Sequence, residues 1–276
     1  MKSWQRYYRP TSFSQLHLVK VREIMQRFAD NGGFPQVLLF AGPKGVGKTS
    51  TARIIAATVN SPLNQQAVKN FYLQNKKTAT KSKLADPEVE NSQIKQILQG
   101  ESYLVVEMDA ASNRGIDDVR SLSEKIYLPP AMGQMMVYIL DEVHMFTNEA
   151  FNALLKILEE PPKHAIFILA TTEMHKIPAT VISRCQVVNF TKANLAELIA
   201  ALEHICQQEK LKVNKKALEK IAQSADGSFR DAVKYLQLVA TQGAVTLERV
   251  EQLLSSNQQT QIQQLEVEIG RASCRE

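Results

Sequence analysis

Five short apolar runs punctuate the chain before residue 191: 37–41 (VLLFA), 103–108 (YLVVEM), 135–140 (MMVYIL), 165–170 (AIFILA) and 186–190 (QVVNF). Their length and lack of polar alternation mark strands buried on both faces of a parallel sheet. Helical spacing fills the intervals. Residues 19–29 place Val21, Ile24, Met25 and Phe28 on one face, and Asn31-Gly32-Gly33 closes that helix as a C-cap and turn. Residues 50–59 and 116–127 read as helices. So do residues 147–160, with a buried stripe of Phe151, Leu154, Leu155 and Leu158, a Thr147 cap, and Pro161-Pro162 as the stop. Strands alternating with helices predict an α/β fold with a parallel sheet.

From about Thr191 the pattern changes. No further strand-like run appears, and 195–209, 215–224, 229–241 and 247–254 read as helices, with Asn214, Ser228 and Thr246 as caps. The expected organisation is an α/β domain over 1–190, a small all-helical domain over 191–255, and a linker or non-native tail over 256–276. Residues 255–264 are Gln-rich, and 270–276 continue no pattern and read as a truncation or foreign tail. Residues 60–100 are the least legible stretch. They are polar, with Lys76, Lys77, Lys81 and Lys83 close together and one short helix before Gly100. The lysine cluster suits either a solvated insertion or contact with DNA.

Composition narrows the class only a little. The fractions of 44% hydrophobic and 22% charged residues are ordinary for a globular protein. No run approaches the length of a membrane span and the N-terminus has no signal core, so the cytoplasm is the expected compartment. Cys185, Cys206 and Cys274 are too widely spaced for a disulfide framework or a CxxC pair. A formal charge of +5 permits nucleic-acid contact without demonstrating it.

The candidate chemistry sits where strands end. Directly after the first apolar run comes Gly42, Pro43, Lys44, Gly45, Val46, Gly47, Lys48, Thr49 and Ser50, matching G-x-x-x-x-G-K-[ST] at every fixed position. The glycines let the backbone turn its N–H groups toward phosphate oxygens, Lys48 reaches the β- and γ-phosphates, and the Thr49 hydroxyl ligates Mg²⁺. The third apolar run ends on Asp141-Glu142, which puts two carboxylates at the C-terminal edge of a parallel strand. Asp141 suits the Mg²⁺, and Glu142 suits orienting an attacking water. Thr172, at the end of the fourth run, fits either a γ-phosphate contact or an ordinary strand-end turn. Arg184 fits either a surface salt bridge or an arginine supplied to a neighbouring subunit's site. Arg230 opens a helix from which hinge closure would bring it over the nucleotide. In RYYRPTSF (6–13), Tyr7, Tyr8 and Phe13 interleave with Arg6 and Arg9. Physics alone favours packing on the core over wrapping a base.

The set RYYRPTSF, GPKGVGKT, EMDAASNRGIDDVR, YILDEVHMF, FNALLKILEEPP, ILATTE, SRC and GSFRDA resembles the gamma/tau clamp-loader subunits of bacterial DNA polymerase III, which are AAA+ ATPases. The resemblance runs in order over roughly 4–254. It implies a RecA-like domain followed by a helical lid, with ATP and Mg²⁺ bound and ATP hydrolysed to load a sliding clamp on primed DNA. Within it Lys48 and Thr49 are the Walker A pair, and Asp141 and Glu142 the Walker B pair. Thr172 is sensor 1, Arg184 the finger acting in trans, and Arg230 sensor 2. Arg9 and Pro10 lie near the adenine. The implied partners are delta, delta prime, further gamma/tau copies, the clamp and primer–template DNA, all within a DNA-directed DNA polymerase holoenzyme. Two departures stand out. The family carries four zinc-binding cysteines between the P-loop helix and the next strand, whereas 60–100 has none. No zinc and a smaller or looser module are therefore expected. The family's collar domain also lies beyond residue 276, which puts a stable pentamer of this chain in doubt. The rival readings are a non-catalytic scaffold subunit of the loader, a small-molecule kinase, and a different AAA+ machine such as a branch-migration motor.

Overall fold

A computed structural model of the chain describes residues 3–73, 82–131, 133–241 and 243–255. Lys76, Lys77, Lys81, Cys274 and the stretches 256–264 and 270–276, all given readings above, lie outside the described residues. In chain order the helices are α1 (Trp4–Tyr7), α2 (Val19–Asp30), α3 (Lys48–Asn60), α4 (Gln65–Val68), α5 (Ser92–Gln99), α6 (Ile116–Ile126), α7 (Asn148–Glu159), α8 (Ala179–Ile182), α9 (Leu195–Gln208), α10 (Lys215–Ser224) and α11 (Phe229–Ala240). The strands are β1 (Val37–Ala41), β2 (Val105–Asp109), β3 (Met136–Asp141), β4 (Ala165–Thr171) and β5 (Gln186–Asn189). Contacts divide the chain into two units. One is Arg9–Thr191, and the other is Met1–Tyr8 together with the chain from Lys192 onward.

The Arg9–Thr191 unit is built on a parallel sheet of order β2-β3-β4-β1-β5. Every residue of β1 and β4 is buried, which is why these runs read as continuously apolar. β2 is an edge strand, and its alternating burial reflects one neighbour instead of two. On one face α6, α7 and α8 bring Leu122, Ile126, Phe151, Leu154 and Val181 against Leu39, Tyr138, Leu140 and Phe167. Tyr138 and Phe167 stack at 5.1 Å across β3 and β4. The P-loop helix α3 packs on β3 and β4, and α4 and α5 pack on α3 in turn. With helices on more than one side, α3 is buried almost all round, including Ile54, Ile55, Ala56 and Val59.

That burial accounts for a difference from the sequence reading of 60–100. The described flanks of this stretch are packed, because they cover the outer side of α3. They hold Val68, Tyr72, Leu84, Ile94 and Ile97 at 7% exposure or less. The Tyr72 hydroxyl accepts from Phe34 N at 2.7 Å and donates to Phe34 O at 2.8 Å. Asn64 donates to Thr58 O and Ala85 O and accepts from Ala85 N, each at 2.8 Å. Besides the short helix before Gly100, the stretch contains a 3-10 turn over Pro62–Asn64, α4, and a π-helical turn over Lys69–Leu73.

In the second unit α9, α10 and α11 pack together over Leu198, Leu202, Ile205, Leu218, Ile221, Leu236 and Val239, and residues 247–255 are helical. Asn194, Asn214 and Ser228 cap α9, α10 and α11 through their side chains. The short helix α1 lies on α11. Trp4 N donates to Gln237 Oε1 at 3.0 Å, and the Tyr8 hydroxyl donates to Glu209 Oε1 at 2.6 Å. Burial and the adjacent Glu209 raise the Tyr8 hydroxyl well above the ordinary phenol range. Tyr8 is thus half-buried in the helical unit, whereas Tyr7 is 61% exposed, so the expected packing holds for only part of the stretch. Phe13, in the other unit, is 1% exposed beside Phe34. Among the described residues no helix is long and apolar enough to cross a membrane.

Candidate functional site

Parallel pairing brings the C-terminal ends of the strands to one edge. Register places Ala41 beside Thr171 and Asn189, and Leu140 beside Leu169. The chain segments that follow β1, β3 and β4 thus start as neighbours, and each carries a predicted site residue. Gly42 N still donates to Thr171 O at 3.1 Å. At Gly42 the backbone passes so close to the end of β5 that a Cβ would lie 2.0 Å from Phe190 O. Gly47 is required for a different reason. Its φ of 101° is left-handed, whereas the space a Cβ would fill is open among the described residues.

Lys48 opens α3 and folds back over the loop. Its Nζ donates to Gly42 O at 2.6 Å and Pro43 O at 2.9 Å, and the residue is only 7% exposed. Thr49 Oγ1 donates to Asp141 Oδ2 at 3.2 Å, so the P-loop hydroxyl and the strand-end carboxylate converge. Asp141 Oδ1 accepts from Glu142 N at 2.9 Å. The hydroxyl–carboxylate pair is a hard-oxygen donor set of the kind Mg²⁺ takes, and the loop ahead of α3 has the turn geometry of a phosphate cradle. The residues present therefore fit a magnesium nucleotide.

Glu142 has left-handed backbone angles, φ 49° and ψ 42°. A non-glycine residue holds that conformation only where its surroundings over-determine it. Thr172 Oγ1 donates to Glu142 Oε2 at 3.1 Å, and Lys44 Nζ lies 3.8 Å from Oε1. Two residues that the sequence reading did not single out complete this corner. His144 Nδ1 hydrogen-bonds with Thr171 Oγ1 at 3.0 Å, and its Nε2 lies 3.3 Å from Glu173 Oε1. A hydrogen bond from Lys176 is the main cause holding the Glu173 carboxyl below its usual range. His144 was visible in the sequence only as a member of the motif YILDEVHMF, two residues after Glu142.

The remaining predicted residues lie elsewhere. Arg184 follows α8, and its guanidinium pairs with Glu159 at the end of α7, with Nε 2.9 Å from Oε1. Within this chain it forms the surface salt bridge that the sequence allowed. Arg230 is exposed in the first turn of α11, in the second unit. Arg9 and Pro10 are half-buried at the start of the sheet unit.

A parallel five-stranded sheet, a P-loop between β1 and α3, and an acid pair closing the neighbouring-but-one strand define an AAA+ P-loop protein. Solved structures agree on the fold. The Thermotoga maritima RuvB Holliday junction branch migration motor superposes with TM-score 0.60 at 18% identity, covering 91% of this chain and 73% of that one. Residues 18–194 match the family model for the DNA polymerase III delta subunit, and 197–239 match the ATPase lid domain of the DNA polymerase III clamp loader subunit. The chain belongs to the DNA polymerase III clamp-loader subunits, and its curated relatives are of the gamma/tau kind. DNA polymerase III subunit tau of Bacillus subtilis is 40% identical over 235 residues, covering 84% of this chain and 38% of the relative. The Escherichia coli subunit tau is 34% identical over 256 residues, covering 91% and 37%. The chain thus spans well under half the length of these relatives.

Proposed function

We propose that this chain is the ATP-hydrolysing motor part of a bacterial clamp loader, which loads a sliding clamp on primed DNA. The observation that carries the reading is the meeting of Thr49 and Asp141 at 3.2 Å beside a buried P-loop lysine, with Glu142 held at the same edge by Thr172. In this reading Gly42 to Ser50 cradle the phosphates, and Lys48 neutralises charge on the β- and γ-phosphates. Thr49 and Asp141 would hold Mg²⁺, which would offset charge on the phosphate oxygens. Glu142 orients the attacking water and takes up its proton, and Thr172 fixes the Glu142 carboxylate and senses the γ-phosphate. Arg184 acts on the nucleotide of an adjacent subunit, so turnover by the isolated chain is low. Arg230 serves as sensor 2, and Arg9 and Pro10 border the adenine.

The Arg9–Thr191 unit is the ATPase domain, and the helical unit from Lys192, which also takes in α1, is the lid. The protein acts in the cytoplasm without zinc. Its partners are delta, delta prime, further gamma/tau copies, the clamp, and primer–template DNA held mainly through backbone phosphates. The test is ATPase activity of the assembled loader with clamp and primed DNA. Lys48→Ala abolishes nucleotide binding, whereas Glu142→Gln binds nucleotide and does not turn it over. Hydrolysis by Glu142→Gln at the wild-type rate would overturn the catalytic assignment.

A further inference from the structure

His144, at the strand-end corner, has no role in the reading above. His144 lies in the 3-10 turn Val143–Met145, directly after the left-handed Glu142. Its side chain is 7% exposed and sits between two carboxylates. Nδ1 is 3.5 Å from Glu142 Oε2 and 3.0 Å from Thr171 Oγ1, and Nε2 is 3.3 Å from Glu173 Oε1. Thr171 Oγ1 in turn accepts from Glu173 N at 3.0 Å. The ring therefore ties the turn after β3 to the turn after β4. Packing alone would be served by an aliphatic side chain, because a buried imidazole costs desolvation unless its nitrogens find partners. Both nitrogens here face oxygen atoms, and one of those belongs to Glu142.

Glu142 needs such a hold. Lys44 is 77% exposed at its side chain and constrains the carboxylate weakly. The less exposed contacts are with Thr172 at 3.1 Å and His144 at 3.5 Å, and both converge on the same oxygen, Oε2. We propose that His144 is a positioning residue for Glu142, fixing Oε2 against the Thr172 hydroxyl and linking it through the ring to Glu173. This inference rests on the hydrolytic reading above. It assigns His144 no contact with nucleotide.

The experiment uses the assembled loader with clamp and primed DNA and three variants. His144→Asn keeps a polar atom near Nδ1, His144→Gln keeps one near Nε2, and His144→Leu keeps neither. The kcat for ATP and the Kd for a fluorescent ATP analogue are measured for each, with thermal melting as a check on folding. The expected result for His144→Leu is a fall in kcat of about tenfold, the scale of losing a supporting contact to a reacting group, with Kd unchanged. His144→Asn recovers more of the lost kcat than His144→Gln, because the Nδ1 side is the one that meets Glu142. A wild-type kcat in His144→Leu overturns the proposal. So does an equal kcat in the Asn and Leu variants, or a Kd that weakens in proportion to kcat. Wild-type turnover in a parallel Glu142→Gln sample identifies a failure of the hydrolytic reading itself, and His144 then has no base to position.

Discussion

Asn60 ends the P-loop helix at the pole remote from the phosphate loop, and its side chain clasps the start of the strand that carries Asp141. Nδ2 donates to Ala56 O at 3.1 Å and Met135 O at 2.9 Å, while Oδ1 accepts from Gln134 N at 2.9 Å and Met135 N at 3.0 Å. Asn60 is 4% exposed and Met135 fully buried. Asn60→Ala removes both sides of the clasp at once and leaves the Gln134 and Met135 N–H groups without their acceptor. Each orphaned group costs about 1–3 kcal/mol, and water entering the vacated space recovers part of that, so the loss is about 2–4 kcal/mol. At about 2–4 °C per kcal/mol for a unit of this size, Tm falls by roughly 5–15 °C. Asn60→Asp keeps one acceptor but turns its other oxygen toward two carbonyls, so it does not restore the wild-type Tm. Scanning calorimetry of the two variants is the assay. A drop under about 2 °C for Asn60→Ala, or wild-type melting of Asn60→Asp, refutes the reasoning.

Gly42→Ala drives a Cβ to 2.0 Å from Phe190 O and abolishes nucleotide binding. Gly47→Ala meets open space and costs only the left-handed backbone, about 1–2 kcal/mol; equal binding defects in the two variants would contradict this ranking. Arg184→Ala leaves the melting of the isolated chain within about 1 kcal/mol, because its pair with Glu159 is partly exposed. In the assembled loader the same change lowers turnover by about 10³-fold or more, and unchanged turnover there removes the in-trans role. Burial pushes the thiols of Cys185 and Cys206 up to about 11, so the neutral form dominates at pH 8 and rises in alkylation come only as pH nears that value. Site-resolved mass spectrometry after iodoacetamide treatment checks this, and labelling at pH 8 as fast as a free cysteine peptide counts against it.

Much of the sheet unit was legible because its signals are local. β1 falls on its predicted bounds, and the other strands shift by a residue or two, since apolar runs of this length have few alternatives. The P-loop and the Asp141-Glu142 pair were legible for the same reason, each being contiguous in sequence. The corner around Glu142 was not. Thr172 and Glu142 meet only because β3 and β4 are adjacent, and no periodicity reports which strands pair. Asn60 and Tyr72 were missed because their work is done on backbone groups 75 and 38 residues away. The packing of the cysteine-free stretch after α3 was missed because polar composition conceals a few well-placed apolar side chains. The short α1 received no helical reading, since four residues carry no measurable period.

The bond between Trp4 and Gln237 spans 233 positions of chain. α1 therefore belongs to a unit whose other helices are the last described to be made. On a ribosome adding roughly 5–20 residues per second, this first turn waits about 10–50 s for α11 to emerge. During that interval Trp4, Tyr7 and Tyr8 have no partner surface in their own unit, while the sheet between them and α11 can already fold. The two units are thus nested in sequence: Arg9–Thr191 can close on its own, while the other unit joins segments from either side of it.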